Sequence, residues 1–86
     1  DISYSIKDYK KTKELQELLL NYSNDILKNV FIFDYFYNEN KEEIKIGFRF
    51  TFQNKNITLT SAEIDVVYND IIKISLGIEG VTIPGI

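Results

Sequence analysis

The chain has 86 residues and a formal net charge of −3, with no cysteine and no histidine. Disulfides, thiolate metal sites and histidine-based acid–base catalysis are therefore excluded. No apolar run approaches roughly 18 residues, and the opening DISYSIKDYKK lacks an apolar leader segment, so neither a membrane helix nor a secretory signal is expected.

The elements can be read in chain order. In ISYSIK, Ile2, Tyr4 and Ile6 alternate with Ser3, Ser5 and Lys7, the period of a half-buried strand. TKELQELLLNYSNDI follows with Leu15, Leu18, Leu19, Tyr22 and Ile26 at helical spacing; Thr12 is the expected N-cap and Glu14 the first-turn acid. VFIFDYFY is a second strand, and NENKEE a polar hairpin loop. EIKIGFRFTFQ alternates most clearly: Ile44, Ile46, Phe48, Phe50 and Phe52 share one face, and Lys45, Gly47, Arg49, Thr51 and Gln53 the other. NKNIT turns the chain, and Thr60 with Glu63 forms a capping box ahead of a second helix. That helix carries Ile64, Val67, Tyr68, Ile71, Ile74, Ser75 and Ile78 on or near one face, and Gly77 and Gly80 stop it. VTIPGI is a short last strand, placed at a sheet edge because Pro84 has no N–H for a ladder.

The order β-α-β-β-α-β predicts an α+β ferredoxin-like sandwich, with an antiparallel sheet in order 4-1-3-2 and both helices on one face. The expectation is one domain over residues 1–86, with no methionine at position 1, hence a piece of a longer or processed chain. The uncovered sheet face would carry Ser3, Ser5, Lys7, Lys45, Gly47, Arg49, Thr51 and Thr82. A protein that grips nucleic acid unaided usually shows a basic excess, which this chain lacks. Any such role must rest on few contacts or on a larger assembly.

VFIFDYFY holds a lone carboxylate, Asp34, and burying it unpaired would be costly. Strict alternation would set Asp34 beside core residues. A β-bulge between Ile32 and Phe33 avoids this. Val30, Ile32, Phe33 and Tyr35 would then face the helices, and Asp34 and Phe36 the open side. Taken alone, Asp34 reads first as an edge-strand charge that deters strand addition.

FRFTFQNKNITLTSAEID resembles the F-R-L-T-F-Q…R-T-L-T-D-E-E-V signature of the ferredoxin-fold anticodon-binding domain at the C-terminus of the bacterial phenylalanyl-tRNA synthetase β subunit. IFDYFY resembles that family's L-F-D-V-Y strand, and DISYSI its opening R-D-hydrophobic strand, begun here at the Asp. The resemblance covers the chain in order. It implies a module that contacts the anticodon stem-loop of phenylalanine tRNA and has no catalytic site or cofactor of its own. Catalysis would belong to the α subunit of a cytoplasmic (αβ)2 enzyme using ATP and magnesium, with the rest of the β subunit and the α subunit as partners.

By the same resemblance, Asp34 accepts the N1–H and N2 donors of the wobble guanine, and Phe36, where the family usually has Tyr, stacks on the base. Arg49 is the only arginine; it either holds RNA or pairs with Asp1 across the sheet. Lys45 replaces a usual small Ser and offers a point charge to phosphate. Pro84 stands where many members have an arginine, so that cationic contact is missing or moves to Lys45 or Lys7. A small-molecule sensing domain of the same topology, binding an amino acid, is the alternative reading. A carboxylate enzyme akin to acylphosphatases is disfavoured, because no Arg/Asn loop follows the first strand.

Overall fold

A computed structural model describes residues 1–53 and 58–85. The elements are β1 (Ile2–Ile6), α1 (Lys10–Leu20), β2 (Leu27–Asn38), β3 (Glu43–Phe52), α2 (Ser61–Ser75) and β4 (Val81–Thr82). The sheet runs β2-β3-β1-β4 with antiparallel neighbours throughout, which is the expected 4-1-3-2 order read from the other edge. The fold is ferredoxin-like. Most of the turn expected at 54–58 lies outside the described residues.

The alternating side chains of β1 and β3 explain the layering. Ile2, Tyr4 and Ile6 stand opposite Phe48, Ile46 and Ile44, and all six are buried. Leu15 and Leu19 of α1 and Val67 and Ile71 of α2 close over them. Tyr4 meets Phe48 edge to face, with ring centres 5.8 Å apart, and donates its hydroxyl hydrogen to Ser75 Oγ at 2.9 Å. Ser75 Oγ donates in turn to the Ile72 carbonyl. The one hydroxyl pair sealed into this core therefore leaves no donor unmet.

The helix ends follow local chemistry, not always as read. Thr60 caps α2, its Oγ1 accepting from Glu63 N at 3.2 Å. At α1 the expected Thr12 cap is wrong. Asp8 lies two residues ahead of Lys10 and takes its N–H at 3.0 Å, so the helix starts earlier. Thr12 then sits in the first turn and donates to the Tyr9 carbonyl, while Glu14 falls beyond that turn and pairs with Lys11. Helix α1 also ends at Leu20, leaving Tyr22 and Ile26 to pack on the core from the connection that follows. Helix α2 stops at Ser75, and the positive φ of Gly80 (85°) turns the chain toward β4. β4 holds an edge and ends before Pro84, as the missing proline N–H requires.

Candidate nucleic-acid interface

Both helices cover one side of the sheet, so its other side is built from what β1, β2 and β3 alternate outward. β2 is an edge strand, and its register on β3 shifts twice, between Leu27 and Asn29 and again near its middle. Ile32 stands opposite Phe48, but Asp34, not Phe33, stands opposite Gly47. Phe33 is the extra residue of a β-bulge, at the position the carboxylate demanded. Beyond it, Asp34 and Phe36 share the outward face with Gly47 and Lys45, their cross-strand partners. Asp34 is exposed, and among the described residues its carboxylate enters no ion pair. Phe36 is 54% exposed. The two expected base-contacting side chains are thus adjacent and accessible.

Two of the expected core assignments fail. Phe33 does not face the helices. Its ring lies over Gly47 on the outward face, so close that a Cβ there would stand 2.7 Å from Phe33 Cζ. Two residues of the bulged strand oppose one residue of β3, and both lie on its face. Tyr35 does turn to the helix side, opposite Ile46, yet it is not buried. It belongs to the outermost strand, where the helices give too little cover. Val30 and Ile32 pack on the core as expected, though only partly buried.

Arg49 pairs with Asp1. Its Nε and one terminal nitrogen donate to the two carboxylate oxygens, each at 3.0 Å. Register explains the match, since Ile2 opposite Phe48 brings the preceding Asp1 beside Arg49. The guanidinium carbon also lies 4.8 Å from the Phe33 ring centre and 5.9 Å from that of Phe31. Phe31 stands opposite Arg49 on the outward face and is exposed. The sequence offers a signal for Phe31 on this face, its alternation with Val30; for Phe33, expected in the core, it offers no local one.

Lys45 lies between Phe36 of β2 and Ser5 of β1. Its ammonium is 3.9 Å from Glu43 Oε1, and that of Lys7 is 3.7 Å from Glu43 Oε2. Ser5 Oγ donates to the same Oε2 at 2.7 Å, while Oε1 is sealed from solvent without a hydrogen bond. One carboxylate thus shares two ammonium groups, and the patch keeps a net positive charge. The Ser5 hydrogen bond, and then the nearby Lys7, Lys45 and Lys41, hold the Glu43 carboxyl below the usual range against the opposing cost of desolvation.

The sign of the pH effect follows. A carboxyl depressed in the folded state adds stability above its unfolded pKa of about 4.3, and that stability is lost as pH falls through the lower folded value. Glu43→Gln mimics the protonated form. It is expected to melt below the parent at neutral pH, with the gap closing as pH falls past about 4 and the parent itself protonates. Thermal midpoints of both proteins across that range measure it; a gap of constant size at every pH contradicts it.

Among the described residues no group of three or more carboxylates is placed to hold a metal ion, and no helix is long and apolar enough to cross a membrane. No curated protein matches the chain. A family model, the ferredoxin-fold anticodon binding domain, matches residues 1–77. That stretch contains the bulge, both partners of the Arg49–Asp1 pair and the lysine patch. The chain therefore belongs to the ferredoxin-fold anticodon-binding domain family, a tRNA-binding module typical of aminoacyl-tRNA synthetases.

Proposed function

We propose that this chain is the anticodon-binding domain of a phenylalanyl-tRNA synthetase β subunit, contacting the anticodon stem-loop of phenylalanine tRNA with the open sheet face. One observation carries the reading: the bulge at Phe33 sets Asp34, whose carboxylate enters no ion pair among the described residues, beside an exposed ring, Phe36, on that face. Guanine is the base that suits this pair. Its Watson–Crick edge offers two neighbouring N–H donors to one carboxylate, and its face stacks on the ring. Phenylalanine tRNA presents a guanine at the wobble position.

The other expected residues divide the work. Lys45 stands directly across from Phe36, one strand spacing (about 4.8 Å) away. A nucleotide whose base lies on Phe36 can set its phosphate over Lys45 and Lys7. Asp1 holds the Nε edge of Arg49, so Arg49 meets RNA through its planar face and its remaining N–H groups. The two lysines take over the cationic contact that Pro84 cannot make. Aminoacylation itself belongs to the α subunit of an (αβ)2 cytoplasmic enzyme, which uses ATP and magnesium; this domain supplies binding and positioning. Working inside that assembly, it acts at high effective concentration and needs little net charge.

The test is charging kinetics of the intact synthetase carrying Asp34→Asn, with native tRNA and tRNA altered at the wobble guanine. Hydrogen bonds to a charged group contribute about 1.5–3 kcal/mol, so discrimination in kcat/KM is expected to fall roughly tenfold to a hundredfold. A variant that discriminates as strongly as the parent enzyme sinks the reading.

A further inference from the structure

Three phenylalanines, Phe31, Phe33 and Phe36, stand on the open face, and base reading by Asp34 uses only the last. Large apolar rings on an exposed face call for a partner. Phe31 and Phe33 are 39% and 41% exposed, so the fold does not consume them as core. Arg49 lies against both rings. One edge of its guanidinium is spent on Asp1 through two hydrogen bonds, which fixes the group in place. Besides its remaining N–H groups it offers a flat, weakly hydrated face beside two aromatic rings. Beneath Phe33 lies Gly47, where any side chain would collide with the ring. The ring therefore lies close to the sheet, in the manner of a shelf.

We propose that Phe31, Phe33 and Arg49 form a second stacking shelf that takes the unpaired base next to the wobble guanine. This rests on the anticodon reading and extends it from one base to two. Spacing supports it. Phe36 lies opposite Lys45, Phe33 lies over Gly47, and Phe31 lies opposite Arg49. Successive rows are two residues apart on β3, or about 6.8 Å. The rings thus follow one another along a single strand direction at a step that two splayed-out nucleotides can span. The chemistry suits a base of any identity. The Asp1 and Arg49 side chains neutralise each other and two of the five guanidinium N–H groups are spent on Asp1, so the shelf binds chiefly through its π-faces. Stacking of this kind tolerates sequence because every base has a π-face.

The experiment uses the intact synthetase and phenylalanine tRNA carrying 2-aminopurine at the middle anticodon position. In the parent complex the probe is expected to stay quenched by stacking. In Phe33→Leu its emission should rise and tRNA affinity fall about fivefold to a hundredfold, with discrimination at the wobble base unchanged. Phe33→Tyr keeps the ring and should restore both quenching and affinity. Phe31→Leu, which lies off the bulge, repeats the test if Phe33→Leu does not fold, with a smaller expected loss. Quenched emission and parent affinity in the leucine variants overturn the shelf. So does a loss of wobble discrimination in Phe33→Leu, which would mean that Phe33 only aims Asp34. If Asp34→Asn abolishes discrimination while Phe33→Leu binds like the parent, the shelf alone fails. If Asp34→Asn leaves discrimination intact, the anticodon reading beneath it fails.

Discussion

Phe48→Ala is expected to lower the stability of the domain by about 3–5 kcal/mol, read from the urea midpoint at constant slope. Phe48 is fully buried in the middle of β3, one of the two central strands. Ile2 stands opposite it on one side and Ile32 on the other, and the Tyr4 ring meets it edge to face. Truncation removes the largest side chain of that row and leaves a cavity walled by β1 and β2. Neither strand can move in to fill it without breaking its ladder to β3. Domains of this size hold only about 5–15 kcal/mol in total, so one substitution would leave the protein close to its folding limit. Phe52→Ala is the control. Phe52 lies at the end of the same strand, is only partly buried, and should cost clearly less. A loss below about 1 kcal/mol for Phe48→Ala would mean that the core rests on the helices rather than on β3. The site depends on the answer, because Lys45, Gly47 and Arg49 alternate with Ile44, Ile46, Phe48 and Phe50 along the same strand. Each outward residue is held in place by an inward neighbour.

That coupling explains which features were legible from sequence. β3 declared itself because ten residues of strict alternation admit one register of faces. The bulge was legible for a chemical reason: an unpaired carboxylate could not stay among core residues, so the strand had to slip by one somewhere before Asp34. The orientation of Phe33 was not legible. An apolar side chain carries no penalty that forbids the core, and the feature that turns it outward is the bare backbone of Gly47 on the neighbouring strand. Tyr35 misled for a related reason. Its face was right, but cover depends on how far the helices extend over an edge strand, which no local pattern encodes. Thr12 is not the helix start because Asp8, four positions earlier, accepts the Lys10 N–H and the helix begins after Tyr9, a choice propensity does not make. The cross-strand partner of Arg49 depends on the β1–β3 register, which brings Asp1 beside it.

Gly47→Val tests whether that non-local pairing shapes the binding face. A glycine inside a strand is a local weakness of about 0.5–1 kcal/mol relative to alanine, and valine is among the residues best suited to strands. With open space above it, the substitution would therefore stabilise β3. Here the new Cβ would lie 2.7 Å from Phe33 Cζ and 2.8 Å from Cε1, and the two methyl groups reach further. The ring must leave. Because it lies on an exposed face it can swing outward, so the clash should cost less than the 1–3 kcal/mol of overpacking in a closed core. The two effects nearly cancel, and the thermal midpoint should change little. Binding should not be spared. Phe33 leaves its place beside Arg49 and the stacking shelf is lost, so tRNA affinity should fall by about tenfold or more while discrimination at the wobble base holds. A double-mutant cycle separates the causes. With Phe33→Ala already present there is no ring to displace, and Gly47→Val should then raise stability by up to about 1 kcal/mol. If valine has the same effect on stability with and without the Phe33 ring, the two residues are not in contact, and Gly47 is not what turns Phe33 toward the open face.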